Sequence, residues 1–280
     1  MSDDLTRYSI LAAGRQVRAA IGLLISGFGL LARGASAQAS APYYHPLQLD
    51  CASFRQQVRS TIDLEGIRER SRETTGRDGI LELRAAAQDS LIMLTAWFDT
   101  LIVWREGAGE RLEPETDGVI GGRYKGSLTV QGAFVSLDRP FVPDEVAQVS
   151  DVGDALQELL PPLPPVALQP GQGWKDDLGT VISRLPDGLN GGHRVERYRL
   201  TRRSSGEEFR MLPDSIEVRA TRRESETGVY EWTAELGVVH WDRGITTDVM
   251  VPTGGPVRAP FRTHIEQQAT VDRVGAECGE

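Results

Sequence analysis

His240, Trp241 and Asp242 are the one local group in this chain whose types and spacing suggest chemistry. Residues two apart in a strand share a face, so the Asp242 carboxylate could orient the His240 imidazole for proton transfer. A solvent-facing pair at a strand end is the plainer reading. The other histidines, His45, His193 and His264, are scattered without ligand spacing, so any metal site would have to be assembled by the fold. There is no G-x-S-x-G elbow, P-loop, dinucleotide-binding glycine turn or H-E-x-x-H. Gly107-Ala108-Gly109 is too short to cradle a phosphate, and Asp176-Asp177 and Glu207-Glu208 read as turn acids. No catalytic residue, cofactor or metal is therefore expected. A hydrolase with a site assembled by the fold stays behind a non-enzymatic role.

Two cysteines, Cys51 and Cys278, lie near opposite ends of the chain. In an oxidising compartment two such thiols are expected to pair. The bridge would close almost the whole domain into one loop, contributing up to about 5 kcal/mol in the loop-entropy model. The alternative is two unpaired thiols on frayed termini. Five tryptophans are the remaining clue. Trp97, Trp104, Trp232 and Trp241 fall in two similar strand-like segments, and the fifth is Trp174. On the concave side of a curved sheet the four would line an apolar ligand pocket. Filling the core between sheet and cover is the plainer role.

The compartment follows from the first forty residues. Arg7, Arg15 and Arg18 precede an apolar run from Ala19 to Leu31, and Ala35-Ser36-Ala37 offers a small-x-small cleavage site. That is the layout of a secretory signal peptide over residues 1–37. The run is shorter than the roughly 20 apolar residues of a membrane-spanning helix, and no second long apolar segment follows, so no stable membrane span is expected after cleavage. An exported protein, periplasmic or extracellular, is the expectation. The whole chain of 280 residues has a formal charge of −9. Without residues 1–37 it keeps 27 basic and 38 acidic side chains, a net charge near −11. Such a balance argues against nucleic acid and against attachment to anionic membranes by charge alone. Lys125 and Lys175 are the only lysines and Asn190 the only asparagine, a bias expected of a GC-rich bacterial genome.

The patterning predicts a mainly β protein of antiparallel, curved sheets. Residues 38–53 read as an extended lead-in, 54–158 as a β-rich first half, 159–174 as a Pro-rich connector and 175–275 as a β-rich second half. Alternation marks Arg55–Leu64, Leu128–Leu137 and Arg194–Arg202 as strands. Turns are expected at Asp78-Gly79, at Glu106-Gly107-Ala108-Gly109 and at Asp242-Arg243-Gly244, with a break near Asp99 and an unbroken run over Val229–Trp241. Asp151 or Asp154 could cap a short helix near 151–160, ended by Pro161 and Pro162. Thr95–Gly107 and Thr233–Gly244 are alike enough to suggest that the halves are copies, with chance likeness of two amphipathic strands as the alternative.

The connector carries a resemblance. Leu160-Pro161-Pro162-Leu163-Pro164-Pro165-Val166 leads to Pro170-Gly171-Gln172-Gly173-Trp174, and a strand-rich half with Trp241-Asp242-Arg243-Gly244 follows. Over residues 150–275 this resembles uncharacterised exported bacterial β-rich proteins with a Leu-Pro…Pro-Val…Gly-x-Trp joint. More distantly it is similar to the half-barrel lipid and lipoprotein carriers of the bacterial envelope. That likeness implies a curved antiparallel sheet folded over helices, with an apolar cavity, and carries over no individual site residue. The expected role is an envelope protein that binds a lipid-like ligand. A structural or protein-interaction module with an envelope protein partner is the alternative.

Overall fold

The computed structural model describes residues 40–66, 70–212, 216–252 and 260–275. The leader and Cys278 lie outside them. Twelve strands form one curved antiparallel sheet. The first half supplies β1 (Ser53–Glu65), β2 (Arg70–Gln88), β3 (Leu91–Gly107), β4 (Glu110–Leu112), β5 (Tyr124–Thr129) and β6 (Phe134–Asp138). The second half supplies β7 (Gly173–Lys175), β8 (Val181–Asn190), β9 (His193–Leu212), β10 (Ile216–Thr233), β11 (Gly237–Val251) and β12 (Phe261–Gly275). Two one-turn helices complete the set, α1 (Pro46–Leu49) and α2 (Asp144–Ala147). Across the sheet the order is β6-β5-β3-β2-β1-β12-β11-β10-β9-β8-β7, with β4 against β3. The expectation of a mainly β, antiparallel, curved architecture holds.

This order sets the problem that the connector solves. The chain weaves from β1 outward to the β6 edge, reappears at the far β7 edge, and weaves back until β12 closes against β1. Eleven strands at about 4.8 Å spacing separate the two edges by roughly 48 Å along the sheet, beyond any hairpin loop. Residues 139–172 make the crossing along one face. They bury Val146, Val149, Val152, Leu156, Leu159 and Leu163 in the same apolar cluster as Phe54, Leu81, Leu94, Phe98, Tyr230 and Trp241 of the strands. Burying each such Val or Leu stabilises by about 1.5–3 kcal/mol, so the connector is the second layer of the core. We call the sheet face it covers the inner face.

A segment crossing a sheet without joining it must find partners for its carbonyl groups elsewhere. Tyrosines supply them. The hydroxyls of Tyr44, Tyr230 and Tyr124 donate to the carbonyls of Pro161 (2.8 Å), Pro162 (3.1 Å) and Val152 (2.5 Å). Tyr198 stacks on Tyr230 with ring centroids 5.2 Å apart. Burial raises the pKa of all four phenols, so they stay neutral donors. The lead-in takes part too, with Tyr44, Leu49 and Ala52 fully buried.

Several local expectations are corrected. The short helix near 151–160 is a series of turns, and the helix stands earlier, at α2. Val152, Ala155, Leu156, Leu159 and Leu160 are all buried, and Pro161 and Pro162 follow at once. Asp78-Gly79 and Asp242-Arg243-Gly244 are mid-strand, inside β2 and β11. Gly79 is there for close approach: a Cβ on it would lie 2.7 Å from the Thr100 carbonyl oxygen. The break at Asp99 is a bulge, where Ile80 pairs with Thr100 and Leu81 with Phe98. Val229–Trp241 contains a hairpin turn between Thr233 and Gly237. The turn at Ala108-Gly109 is where it was expected, with both residues at positive φ.

Candidate functional site

Long strands carry the sheet past its cover. β2, β9 and β10 run 19, 20 and 18 residues. Near the Tyr cluster their inner faces pack on the connector. Farther along, alternation brings Ile62 and Leu64 of β1, Ile245 of β11 and Ile265 of β12 to the inner face, where they are only half-buried. Register aligns them: Ile62 is opposite Ile265, and Ile265 is opposite Thr247, two residues from Ile245.

Charged side chains mark the border between covered and half-buried stretches. Arg77 of β2 is 2% exposed and donates to Glu158 of the connector, to the Asp151 carbonyl and to Gln56 Oε1 (3.3 Å). The other Glu158 oxygen lies 3.9 Å from Arg243 Nη1. Arg243, whose side chain is 10% exposed, has its Nε 3.1 Å from Glu226 Oε1, and the second Glu226 oxygen is 2.7 Å from Arg202. Arg77, Glu158, Arg243, Glu226 and Arg202 thus alternate in sign across four strands and the connector. Charges as deep as Arg77, Arg243 and Glu226 are tolerable only when paired, whereas Arg202 at the end of the row is half-exposed.

Two cavities flank this row. One, of about 350 Å³, lies toward the half-buried stretch and is bordered by Val58, Ile245 and Ile265. The other, of about 510 Å³, lies between the connector and β9–β11 and is bordered by Phe134, Leu160, Leu200 and Trp241. Glu158 and Arg243 border both.

The tryptophans singled out in the sequence divide. Trp232 and Trp241 are on the inner face, buried in the core, and Trp241 also borders the larger cavity. Trp97 and Trp104 alternate with buried Ala96, Phe98 and Val103, so they point to the outer face. There Arg123 lies 3.8 Å from the Trp97 ring centroid, and Arg111 and Arg59 lie 4.9 and 5.9 Å from that of Trp104. A Cβ on Gly76 would lie 2.5 Å from the Trp104 ring, so only glycine lets the indole lie against the strand.

His240 and Asp242 do share a face, the outer one. His240 Nδ1 is 2.7 Å from Asp272 and its Nε2 is 3.0 Å from Asp242. His264 is held likewise, by Asp248 at 3.0 Å and Glu266 at 3.3 Å. At His240, burial opposes the charged form, but hydrogen bonds to Asp272 and Asp242 outweigh it and the pKa is raised. The hydrogen bond to Asp248 raises that of His264. With both ring nitrogens occupied by carboxylates, neither imidazole has a free nitrogen to act as a base. Among the described residues no cluster of His, Cys, Asp or Glu could hold a metal ion, and no helix is long and apolar enough to cross a membrane.

The sequence reading did not single out Arg77, Glu158, Arg202 or Glu226, and it placed Arg243 in a turn. The available signal was parity: Arg243 is two residues beyond Trp241, and Glu226 four before Tyr230, so each shares a face with a buried aromatic.

No protein-family model and no curated protein sequence matches the chain. Among solved structures, one described as "lipid-protein interactions in lipovitellin" aligns with 82% of this chain at 8% identity and a TM-score of 0.47. The chain spans 26% of that protein's length. Neisserial surface protein A aligns over 79% of this chain and 97% of its own, at 7% identity and a TM-score of 0.24. Both likenesses are too distant to carry an argument about ligand or mechanism.

Proposed function

We propose that this protein is a non-enzymatic, exported envelope protein that holds an apolar, lipid-like ligand against the inner face of its sheet. One observation carries the reading: Ile245 and Ile265 stand half-buried at the wall of a cavity of about 350 Å³, with half-buried Ile62 and Leu64 continuing the same face of β1. The cavity has a mixed lining, in which Val58, Ile245 and Ile265 stand among Arg77, Asp151, Glu158, Arg222, Glu224 and Arg243, so an occupant would have to be amphipathic. The charged row gives such a site a polar end, and the isoleucines give it an apolar one.

Export and a Cys51–Cys278 bridge belong to the same proposal. The bridge is supported by strand register. β1 and β12 are neighbours, and Ser53 pairs with Gly275, so the chain enters and leaves the sheet at one place. Cys51 lies two residues before that pair and Cys278 three after it.

The test is a native mass spectrum of the protein exported from a bacterium expressing the full chain. We expect a mass starting at Gln38, two hydrogens lighter than the dithiol, with a reproducible lipid-sized adduct. A bare polypeptide that also fails to bind the apolar dye N-phenyl-1-naphthylamine would overturn the ligand reading. The runner-up is a protein-interaction module. It is favoured by the outer face, where exposed Ile102 stands two residues from Trp104 and its flanking arginines.

A further inference from the structure

Over most of the outer face each arginine lies against a carboxylate. Arg55 is 2.6 Å from Asp78, Arg262 2.6 Å from Asp248, Arg197 3.4 Å from Glu231 and Arg72 3.6 Å from Asp63. The outer face of β3 departs from that rule. There guanidiniums lie against indoles, Arg123 on Trp97, and Arg59 and Arg111 on Trp104. Arg111 also reaches Glu106 and Glu113. Among the described residues, exposed Arg59 and Arg123 have no carboxylate within ion-pair distance. A ring occupies one face of a guanidinium and leaves its N–H fork open to an anion.

Between the two indoles stands Ile102, 56% exposed. The β2 partners of Trp104, Ile102 and Trp97 are Gly76, Asp78 and Glu82. Ile102 and Trp97 therefore stand two and six strand positions from Trp104, and the row is about 20 Å long. It reads cation, apolar, cation on one face of a rigid strand. An extended segment has the same rise and sends alternate side chains to one face. Carboxylates at the ends of a seven-residue stretch would reach Arg59 and Arg123, about 20 Å apart along it. An apolar side chain two residues from one end would rest on Ile102. A bilayer fits less well. The Trp104 indole lies against the strand at Gly76 instead of projecting. Exposed Asp99, Glu106, Glu110 and Glu113 surround the row, so an anionic lipid surface would meet acids together with the cations.

We propose that the outer face of β3 docks an extended acidic segment of another protein. The segment carries carboxylates six residues apart and an apolar side chain between them on the same face. Arg59 and Arg123 bind the carboxylates, and Ile102 takes the apolar side chain. The site is on the face opposite the cavities and is independent of the apolar-ligand reading.

The experiment is an NMR titration of the full chain with the peptide acetyl-Glu-Thr-Leu-Thr-Leu-Thr-Glu-amide, following the indole N–H resonances. A leucine two residues from each end lets the peptide lie in either direction. The Trp97 and Trp104 resonances should shift. Those of buried Trp232 and Trp241 should stay, and they also report that each variant is folded. Glutamine in place of both glutamates should weaken binding about tenfold. R59A and R123A should each weaken it about two- to fivefold, the scale of an exposed ion pair. No shift at millimolar peptide, equal binding of the glutamine peptide, or unaltered affinity in both variants would overturn the site. So would sedimentation of the chain with dioleoylphosphatidylglycerol vesicles, lost in R123A, without binding of the peptide, which would make this face a lipid contact.

Discussion

Along β12, Val271 and Ala269 are buried, whereas Ile265, on the same face, is only half-buried. The strand is continuous and the side chains are similar. What differs is the second layer, since the connector packs over one stretch, and its Ser150, Asp151 and Glu158 border the cavity where the other begins. One sheet thus has a stretch packed under the connector and a half-buried stretch beside it, past which Val218, Ala220, Val249 and Val251 form a second buried cluster, and the charged row stands at the connector's border.

The largest effect should come from that border. Glu226→Ala leaves Arg243 and Arg202 without their shared carboxylate, and breaking a buried pair of this kind costs about 3–5 kcal/mol. A urea midpoint close to that of the native protein would show that the row is dispensable and that the two stretches need no electrostatic seam. Next come truncations on either side. Leu156→Ala, in the connector, should cost about 2–5 kcal/mol, and Ile265→Ala about 1 kcal/mol or less, the cost of a half-buried site. Ile265→Ala should instead weaken dye binding. Equal losses of stability would erase the distinction between the stretches.

The smallest effect belongs to the outer face. His240 and His264 have raised pKa values in the fold, so each adds stability below its unfolded value near 6.5 that is lost as pH rises through the folded value. Asp248 is lowered by its hydrogen bonds to Arg262 and His264, so its share is lost only when pH falls below the ordinary carboxylate range. Urea midpoints should decline slightly from mildly acidic to alkaline pH, and H240Q with H264Q should flatten that slope. An unchanged slope in the double variant would remove the histidines from the balance.

How much of this was legible in the chain depended on range. Alternation exposed the strands at Arg55–Leu64 and Arg194–Arg202, because period two is a local property, but the run expected over Leu128–Leu137 is split by the turn between β5 and β6. Strand length was hidden where Gly79 and Gly244 interrupt the pattern: glycines that punctuate loops in most sequences here admit a neighbouring carbonyl or the Gln268 side chain. The pairing of β1 with β12 joins residues more than two hundred positions apart, and no local signal carries it. The connector was expected over 159–174, whereas residues 139–172 make the crossing, and its role as core depended on knowing which edges it spans. Trp97 and Trp104 were grouped with Trp232 and Trp241 by segment likeness, whereas parity separates them. The ion row was invisible because each member looks like an ordinary surface charge until the sheet order places it under the connector.

The closing of β12 against β1 also governs when the fold can form. β1 is made first and sits mid-sheet, yet one of its edges has no partner until the last strand has been synthesised. A nascent chain therefore presents an open strand edge until β12 is made, the feature that invites pairing with other chains. Contacts of such sequence separation also slow folding. A protein built this way benefits from being held unfolded until its C-terminal residues are available, and its final step is the joining of the two ends of the chain.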